Sequence, residues 1–366
     1  MAGKFEYKYF KDIDISDCFF DSLKLDYPGT ENSTGFVEWF KAKSDRRALV
    51  YYDDVGILAF IALKDENESV ELKHKVLPPK ERKKISTIKI SERHQGERYG
   101  EGAIGLMLWK WQESRKEEIY VTVFERHQNL IIELERFGFK REGYNLNDEM
   151  VLIKNRKNID FSDPYKSFPF IKGGFEHAGY LIFNAIFHDN MFAYSELANK
   201  ESLQERVGKN VINGITKIYI GKAATVNHKI GEPILIYRKD STDGSGKRYR
   251  SCITSYAVIT DIIIPKSRGN YFMSFEELLK RIGNKSVFNR EDLRKQYEEN
   301  TNVLIISLLY MGYFGPGNNV NLDWLERNDC WKDNPNQYPT SIHLTEDKFR
   351  MILKEGNVDV SNVIID

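Results

Sequence analysis

The sequence is poor in cysteine and has no long apolar stretch. Its three cysteines, Cys18, Cys252 and Cys330, are odd in number and far apart among 366 residues, which indicates reduced thiols and no disulfide framework. No apolar run reaches the roughly eighteen residues of a membrane span, and the N-terminus lacks a basic-then-apolar signal pattern. We therefore expect a soluble, cytoplasmic protein with no membrane partner.

Metal-ligand spacing is also absent. The seven histidines show no such spacing with one another or with the cysteines, and they include His74, His177, His188 and His343. The sequence therefore predicts no metal site.

No charge of one sign dominates the chain. With 54 basic and 54 acidic residues the net charge is zero, which argues against a strongly basic surface for nucleic acids. A local positive groove is still compatible with this balance. Its candidates are Arg82-Lys83-Lys84 and Lys247-Arg248-Tyr249-Arg250, although such short runs are usually solvated faces.

The length indicates two domains, and the 41% hydrophobic residues are enough for a core in each. Between Asn155 and Gly174 the periodicity is broken by polar residues, by Asp-Pro-Tyr and by Lys-Gly-Gly. We expect a first domain at 1–157, a linker at 158–174 and a second domain at 175–366, each domain folding by itself.

The most informative stretch is Ser86–Glu101, which has the pattern of a strand, a turn and the start of a helix. The first amides of a helix lack partners within it and attract phosphate oxygens. Gly96 and Gly100 let the backbone approach a ligand closely. The helix continues with one apolar stripe, formed by Ala103, Ile104, Met107, Leu108 and Trp111. The pattern fits a pyrophosphate site, or else an ordinary turn of an α/β domain.

A strand and a second helix follow. Ile119–Phe124 is β-branched and aromatic, as buried strands are, and Asn129–Phe137 is amphipathic and ends at Gly138. Upstream, we predict strands at Phe5–Phe10, Leu49–Tyr52 and Ile57–Leu63 and helices at Asp17–Leu25 and Phe36–Lys43. The first 155 residues are thus predicted to form one α/β domain with a mixed sheet.

Here the sequence resembles the GNAT superfamily of acyl-CoA-dependent N-acetyltransferases. The resemblance rests on Gln95-Gly96-Glu97-Arg98-Tyr99-Gly100 after a strand, and on Gly138-Phe139 after the second helix. Arg98 stands where the family usually has a glycine. Its guanidinium could add a contact to a phosphate, or it could block the loop.

The resemblance implies acetyl transfer from acetyl-CoA, as co-substrate, to an amine. Backbone groups of Ile88, Lys89 and Ile90 would pair with the pantetheine arm, and the amides from Gln95 to Gly100 would hold the pyrophosphate.

The catalytic acid and base are less apparent. Glu92 and His94 follow the strand and are the nearest titratable groups by sequence, so either could be the general base. Counting back from Gly138, the positions of the family's usual tyrosine acid and of the asparagine seven residues before it hold Leu134 and His127. His127, a tyrosine from elsewhere or no residue would then protonate the leaving thiolate.

The second domain is predicted to be α+β and barrel-like. Its strands are expected at Ile215–Ile220, Pro233–Tyr237, Ser251–Ile264 and Asn302–Leu309, its helices at Ser274–Ile282, Arg290–Glu298 and Thr345–Lys354, and a turn at Asp243–Gly246.

This domain resembles the PUA-like superfamily, which includes ASCH and EVE domains. The resemblance rests on Lys229–Arg238, Cys252–Ile259, Tyr338–Ile342 and Glu346–Phe349. It implies recognition of RNA or a modified base. Tyr237 and Tyr256 would then be barrel core or would stack on a base. The predicted substrate-binding residues are Tyr237, Arg238, Lys247, Arg248 and Arg250.

Three hypotheses follow. The protein is an acetyltransferase whose second domain delivers a nucleic-acid-linked amine, such as a tRNA, an aminoacyl-tRNA or a modified base. Alternatively, it acetylates a protein or small amine, or it is a nucleic-acid-binding protein whose first domain has lost activity. The acceptor and the oligomeric state cannot be derived from the sequence.

Overall fold

A computed structural model describes residues 5–30, 34–94, 96–195, 197, 212–224, 226–240, 247–331 and 342–366. The predicted turn at Asp243–Gly246 and the predicted loop residue Gln95 lie outside these ranges. We call residues 5–155 the first half, 158–174 the connecting segment and 175–366 the second half.

The first half is a seven-stranded mixed sheet with helices on both faces. The strands of this sheet are β1 (Glu6–Tyr9), β2 (Arg47–Tyr52), β3 (Ile57–Glu66), β6 (Arg82–Ile90), β7 (Glu118–Phe124), β8 (Lys140–Tyr144) and β9 (Glu149–Asn155). Between β3 and β6, the strands β4 (Val70–Glu71) and β5 (Val76–Leu77) form a separate two-stranded sheet. Its helices are α1 (Asp21–Asp26), α2 (Phe36–Lys41), α3 (Tyr99–Ser114) and α4 (Gln128–Arg136).

The order across this sheet is β1-β2-β3-β6-β7-β9-β8, and only the β6–β7 pair is parallel. Helices α3 and α4 cover one face. Helices α1 and α2 cover the other, where a cluster of phenylalanines packs on β2 and β3. Gly138 ends α4 with φ 82°, in the helix-stop conformation that the sequence predicts.

The connecting segment and second half contain a second sheet and several short helices. The strands are β10 (Ile171–Lys172), β11 (Gly179–Asn184), β12 (Thr216–Gly221), β13 (Pro233–Lys239), β14 (Cys252–Ser267), β15 (Asn270–Tyr271), β16 (Val303–Tyr313), β17 (Val320–Asn321) and β18 (Ile364–Ile365). The helices are α5 (Pro164–Ser167), α6 (Ala185–Met191), α7 (Lys247–Arg250), α8 (Phe275–Ile282), α9 (Arg290–Glu299), α10 (Leu322–Arg327), α11 (Glu346–Glu355) and α12 (Val360–Val363).

The second sheet curls into a half-barrel. Its main order is β11-β13-β14-β16-β12, and the two edge strands approach each other through Phe183 of β11 and Tyr219 of β12, whose ring centroids are 5.2 Å apart. The predicted mixed-sheet α/β architecture followed by an α+β part with a curled sheet is confirmed.

The halves share apolar contacts. One continuous cluster joins α3 and α4 to β11, β13, β14 and β16. The connecting segment, predicted to be a polar linker, buries Phe168, Phe170 and Ile171 in the same cluster. No helix in the described part of the chain combines the length and apolar character that a membrane span needs.

Candidate functional site

Strands β6 and β7 separate partway along the first sheet. Their parallel register runs from Arg82 opposite Glu118 to Ile85 opposite Val121, yet β6 continues to Ile90 and β7 to Phe124. The outer part of β6 keeps its pairing with β3 up to Ile90 opposite Ala59. Among the described residues it pairs with no strand on its other side, so this edge can accept an extended ligand. The predicted residues Ile88, Lys89 and Ile90 lie on this edge.

The loop after β6 leads directly to the N-terminus of α3. Gly96 has φ 84°, a conformation that favours glycine. A Cβ added at Gly96 or at Gly100 would have no atom within 4 Å, so there is open space beside both residues. The opening lies at the N-terminus of a 16-residue helix, the end that attracts phosphate oxygens, so it is suited to a diphosphate.

Arg98, which stands where the resemblance leads us to expect a glycine, contacts the second half. It adopts φ 67°, the left-handed conformation expected of a glycine, and its side chain is 8% exposed. Its Nη2 lies 2.8 Å from Glu101 Oε1 and donates to the carbonyl of Thr216 at 2.6 Å. Glu101 in turn accepts from the Thr216 amide and hydroxyl, at 2.6 Å each. The ion pair holds the guanidinium against the second half, and the phosphate contact predicted for Arg98 stays a prediction.

The remaining loop residues are also linked to the second half. Asn213 Nδ2 donates to the carbonyl of Glu97 at 3.0 Å, and Asn284 Nδ2 donates to that of Gly96 at 2.5 Å. The ring of Tyr99 packs edge-on against Tyr51 of β2 at 5.2 Å. The two hydrogen bonds join the loop carbonyls of Gly96 and Glu97 to the second half.

Two of the predicted catalytic residues, Glu92 and His94, follow β6, and the third, His127, precedes α4. Glu92 is exposed in a short turn of 3-10 helix spanning Glu92–His94, and the side chain of His94 lies outside the described part. Burial lowers the pKa of Lys89, opposed by the nearby carboxylates of Asp26 and Glu92. His127 Nε2 lies 3.2 Å from Asp26 Oδ2. Its position before α4 therefore places His127 beside α1.

A core leucine, Leu134, stands where the resemblance places the tyrosine acid. Leu134 is fully buried in α4, so this position offers no proton donor.

The sequence did not point to Glu149, whose buried carboxylate lies at the start of β9 and accepts a hydrogen bond from the Tyr27 hydroxyl at 2.6 Å. Glu149 lies in a strand that was not predicted, and the only sequence signal was the apolar run after it.

In the second half, the predicted base-contacting residues are packed inside the fold. Tyr237 is buried and stacks on Trp331 with centroids 4.6 Å apart. Arg238 is buried and forms a two-pronged pair with Asp189. Tyr256 is buried as well, which matches the core interpretation.

The basic run is paired with acids. Arg248 contacts Glu326 and lies 3.3 Å from Asp323, and Arg250 lies 2.5 Å from Asp240. The side chain of Lys247 lies outside the described part. The charge available to a nucleic acid here is thus smaller than the sequence suggests.

A pocket of about 280 Å³ opens between the edge strands of the half-barrel. Four aromatic, five aliphatic and three polar residues form its wall. They are Phe183, Phe187, Tyr219 and Phe288, then Ile182, Met191, Ile218, Ile220 and Val287, and finally Asn184, Lys222 and Gln296. Such a wall suits a planar ring that carries hydrogen-bonding edges.

Within the described residues, no group of three or more histidine, cysteine or acidic side chains could hold a metal ion.

Comparison with known proteins finds similarity to solved structures only. No protein-family model and no curated protein matches the chain. An ASCH protein variant from Zymomonas mobilis is 12% identical with a TM-score of 0.30, over 48% of this chain and 93% of that one. An N-acetyltransferase from Staphylococcus aureus Mu50 is 10% identical with a TM-score of 0.28, over 43% of this chain and 100% of that one.

A spermidine N-acetyltransferase from Vibrio cholerae, in complex with CoA and spermine, is 17% identical with a TM-score of 0.29, over 42% of this chain and 95% of that one. Because identities and TM-scores are this low, what those proteins bind or catalyse does not transfer to this chain. The two folds that the sequence resembles, GNAT and ASCH, are both among the structures similar to it.

Proposed function

We propose that this protein is an acetyl-CoA-dependent N-acetyltransferase. The observation that carries the proposal is the free edge of β6 beyond Ile85, which leads into the open N-terminus of α3. Acetyl-CoA supplies an activated acetyl thioester. Ile88–Ile90 would hold its extended arm through backbone groups, and the amides between Gly96 and Gly100 would hold its diphosphate.

Gly100 offers a direct test. It has no positive φ and its added Cβ would meet open space, so Gly100→Asp should fold while placing a negative charge in the phosphate site. At about 100 times the dissociation constant, acetyl-CoA should stabilise the parent by roughly 2.7 kcal/mol in thermal unfolding. We expect the aspartate variant to lose this stabilisation.

Gly100→Ala is the matched control, because it fills the same space without charge. It should retain most of the binding, since the amide is kept. Equal acetyl-CoA affinity in the aspartate variant and the parent would show that the ligand does not bind at this loop.

For the acceptor, we propose an amine linked to a nucleic acid. The aromatic pocket between β11 and β12 favours this class over a protein side chain, because flat rings and a few polar groups suit a nucleobase. Phe288→Ala should weaken binding of single-stranded RNA or DNA at low salt, whereas Phe272→Ala, at a ring that is 68% exposed, should not.

Mass spectrometry of bulk tRNA, DNA and protein after incubation with acetyl-CoA identifies the acetylated class. Acetylated protein alone would favour a protein or small-amine acceptor. Acetyl-CoA binding by neither parent nor variants, together with nucleic-acid binding by the parent, would favour a non-catalytic binding protein.

A further inference from the structure

Glu149 is a buried carboxylate with no cationic partner among the described residues. Its residue is 5% exposed, and its oxygens accept from Tyr27 Oη at 2.6 Å, Asn145 Nδ2 at 2.8 Å and Thr122 Oγ1 at 3.2 Å. Within the described part of the chain, no lysine, arginine or histidine forms a salt bridge with it. Burying a carboxylate in this way is costly.

Buried glutamates elsewhere in the same half are neutralised. Glu118, at the other end of β7, lies 2.7 Å from Arg82 Nε and 3.0 Å from Lys80 Nζ. Glu101 is paired with Arg98. Glu118 and Glu101 each have a basic partner, and Glu149 differs from them in this respect. The carboxylate of Glu149 can therefore accept a proton from a cationic ligand.

Its place in the sheet is the point where β6 and β7 part. Thr122 is the first residue of β7 beyond the paired region, and Glu149 lies opposite Phe124 in the β7–β9 register. Because side chains alternate between faces, Thr122, Phe124 and Glu149 share the face that carries α1, and the ring of Tyr27 packs on Phe124 at 5.4 Å. The carboxylate is therefore next to the opening in which a thioester would lie.

A cavity of about 280 Å³ leads to this position on the same face. Thr122 and Asn145, two of the three donors to Glu149, are part of its wall. The charged residues of the wall are Glu66, Glu68, Glu71, Lys64 and Lys84, so acids outnumber bases. A cationic amine would be attracted into this cavity.

We propose that Glu149 is the general base of the acetyl transfer and that this cavity admits the acceptor, a primary amine that arrives protonated. The inference rests on the proposed function. Tyr27 is the relay, because its hydroxyl contacts the carboxylate and it closes the site from the end of α1. Burial raises the pKa of Tyr27 above its ordinary value, and the adjacent Glu149 raises it further, so the hydroxyl remains a donor at neutral pH.

Acetyl transfer to a protonated amine releases two protons from the nitrogen. The ammonium gives one proton to Glu149, directly or through the Tyr27 hydroxyl, and the free amine attacks the carbonyl carbon of the acetyl thioester. The new C–N bond forms and the C–S bond breaks. The second proton of the nitrogen leaves with the thiolate as a thiol, and Glu149 returns its proton to solvent.

The test compares Glu149→Gln, Tyr27→Phe and the matched control Glu118→Gln in the full chain. Acetyl-CoA affinity is measured by calorimetry, and thiol release is followed from pH 6 to 9 with three acceptor probes: spermidine, a lysine-containing peptide and bulk aminoacyl-tRNA. Thermal unfolding shows whether each variant is folded. We expect Glu149→Gln to lower the rate by about 10²- to 10⁴-fold. Acetyl-CoA affinity should stay unchanged.

Glu118→Gln should keep the rate, while its unfolding temperature falls because Arg82 loses its buried partner. Tyr27→Phe should lower the rate at unchanged acetyl-CoA affinity. If Glu149→Gln fails to fold, this second variant tests the proposed base. A parent that binds no acetyl-CoA would contradict the proposed function itself. Two outcomes would overturn this inference alone. In the first, the parent transfers acetyl groups and Glu149→Gln or Tyr27→Phe is equally active. In the second, the parent binds acetyl-CoA but acetylates none of the three probes.

Discussion

Trp109 of α3 joins the two halves. The residue is 5% exposed, and its indole N–H donates to the carbonyl of Met311 in β16 at 2.7 Å. Its ring packs edge-on against Tyr310 and Tyr313, both at 5.4 Å. Replacing it therefore perturbs the boundary between the halves and little else.

The expected cost of Trp109→Ala is large. Truncating a buried aromatic side chain costs about 3–5 kcal/mol, and the carbonyl of Met311 loses its donor, which adds roughly 1–3 kcal/mol if no water replaces it. A typical domain has a stability of about 5–15 kcal/mol, so the variant should be close to unfolding at moderate temperature. Because the core is continuous, we expect both halves to lose this stability together.

Hydrogen exchange followed by mass spectrometry resolves the two halves. In Trp109→Ala, peptides from β6–β7 and from β13–β16 should lose protection by the same free energy. Phe272→Ala, at an exposed ring, should leave both unchanged. Loss of protection in one half alone, or two separate unfolding transitions in the parent, would refute the shared core and restore the independent folding that the sequence predicts.

Three further predictions concern single contacts. Lys154 is fully buried and donates to the carbonyls of Phe137, Lys166 and Phe168 at 2.6–2.8 Å, and burial lowers its pKa to about 7 from 10.5. The unfolded chain therefore binds more protons between those values, so the parent's stability should rise from pH 7 to 10 by up to about 1.4 kcal/mol per pH unit relative to Lys154→Met; denaturant titrations with equal slopes would contradict this. Asn284→Ala frees the carbonyl of Gly96 and should change acetyl-CoA affinity severalfold in calorimetry without unfolding the protein, whereas an unchanged affinity would mean that the loop is held without it. Neutralising Lys247, Arg248 and Arg250 together should lower the unfolding temperature, because Arg248 and Arg250 are paired with Glu326 and Asp240, and should leave the salt dependence of nucleic-acid binding nearly unchanged; a flatter dependence in filter binding would show that these residues contact phosphates.

The order of elements around the loop could be predicted from the sequence, because α3, β7 and α4 carry strong periodicity and Gly138 marks an end. Strand β9 could not be predicted in this way, because the burial of its polar residues depends on partners that are distant in sequence. Lys154 is buried because three carbonyls meet there, and Glu149 because Tyr27 and Asn145 reach it. The burial of the connecting segment could not be predicted for the same reason, because Phe168 and Phe170 are buried by contacts that no local pattern reveals.

The arrangement of the two halves limits how the second can act on acetyl transfer. It packs on the face that carries α3 and α4, whereas Glu149 and its cavity lie on the face that carries α1, and the residues lining that cavity all come from the first half. The second half instead contacts the loop before α3, through Thr216, Asn213 and Asn284. A ligand that shifts these residues would alter acetyl-CoA affinity, and by reciprocity acetyl-CoA would alter the affinity for that ligand by the same factor. A nucleic acid held by the half-barrel would therefore reach the acceptor cavity only by extending around the edge of the first sheet, so a long acceptor fits this geometry better than an isolated nucleoside.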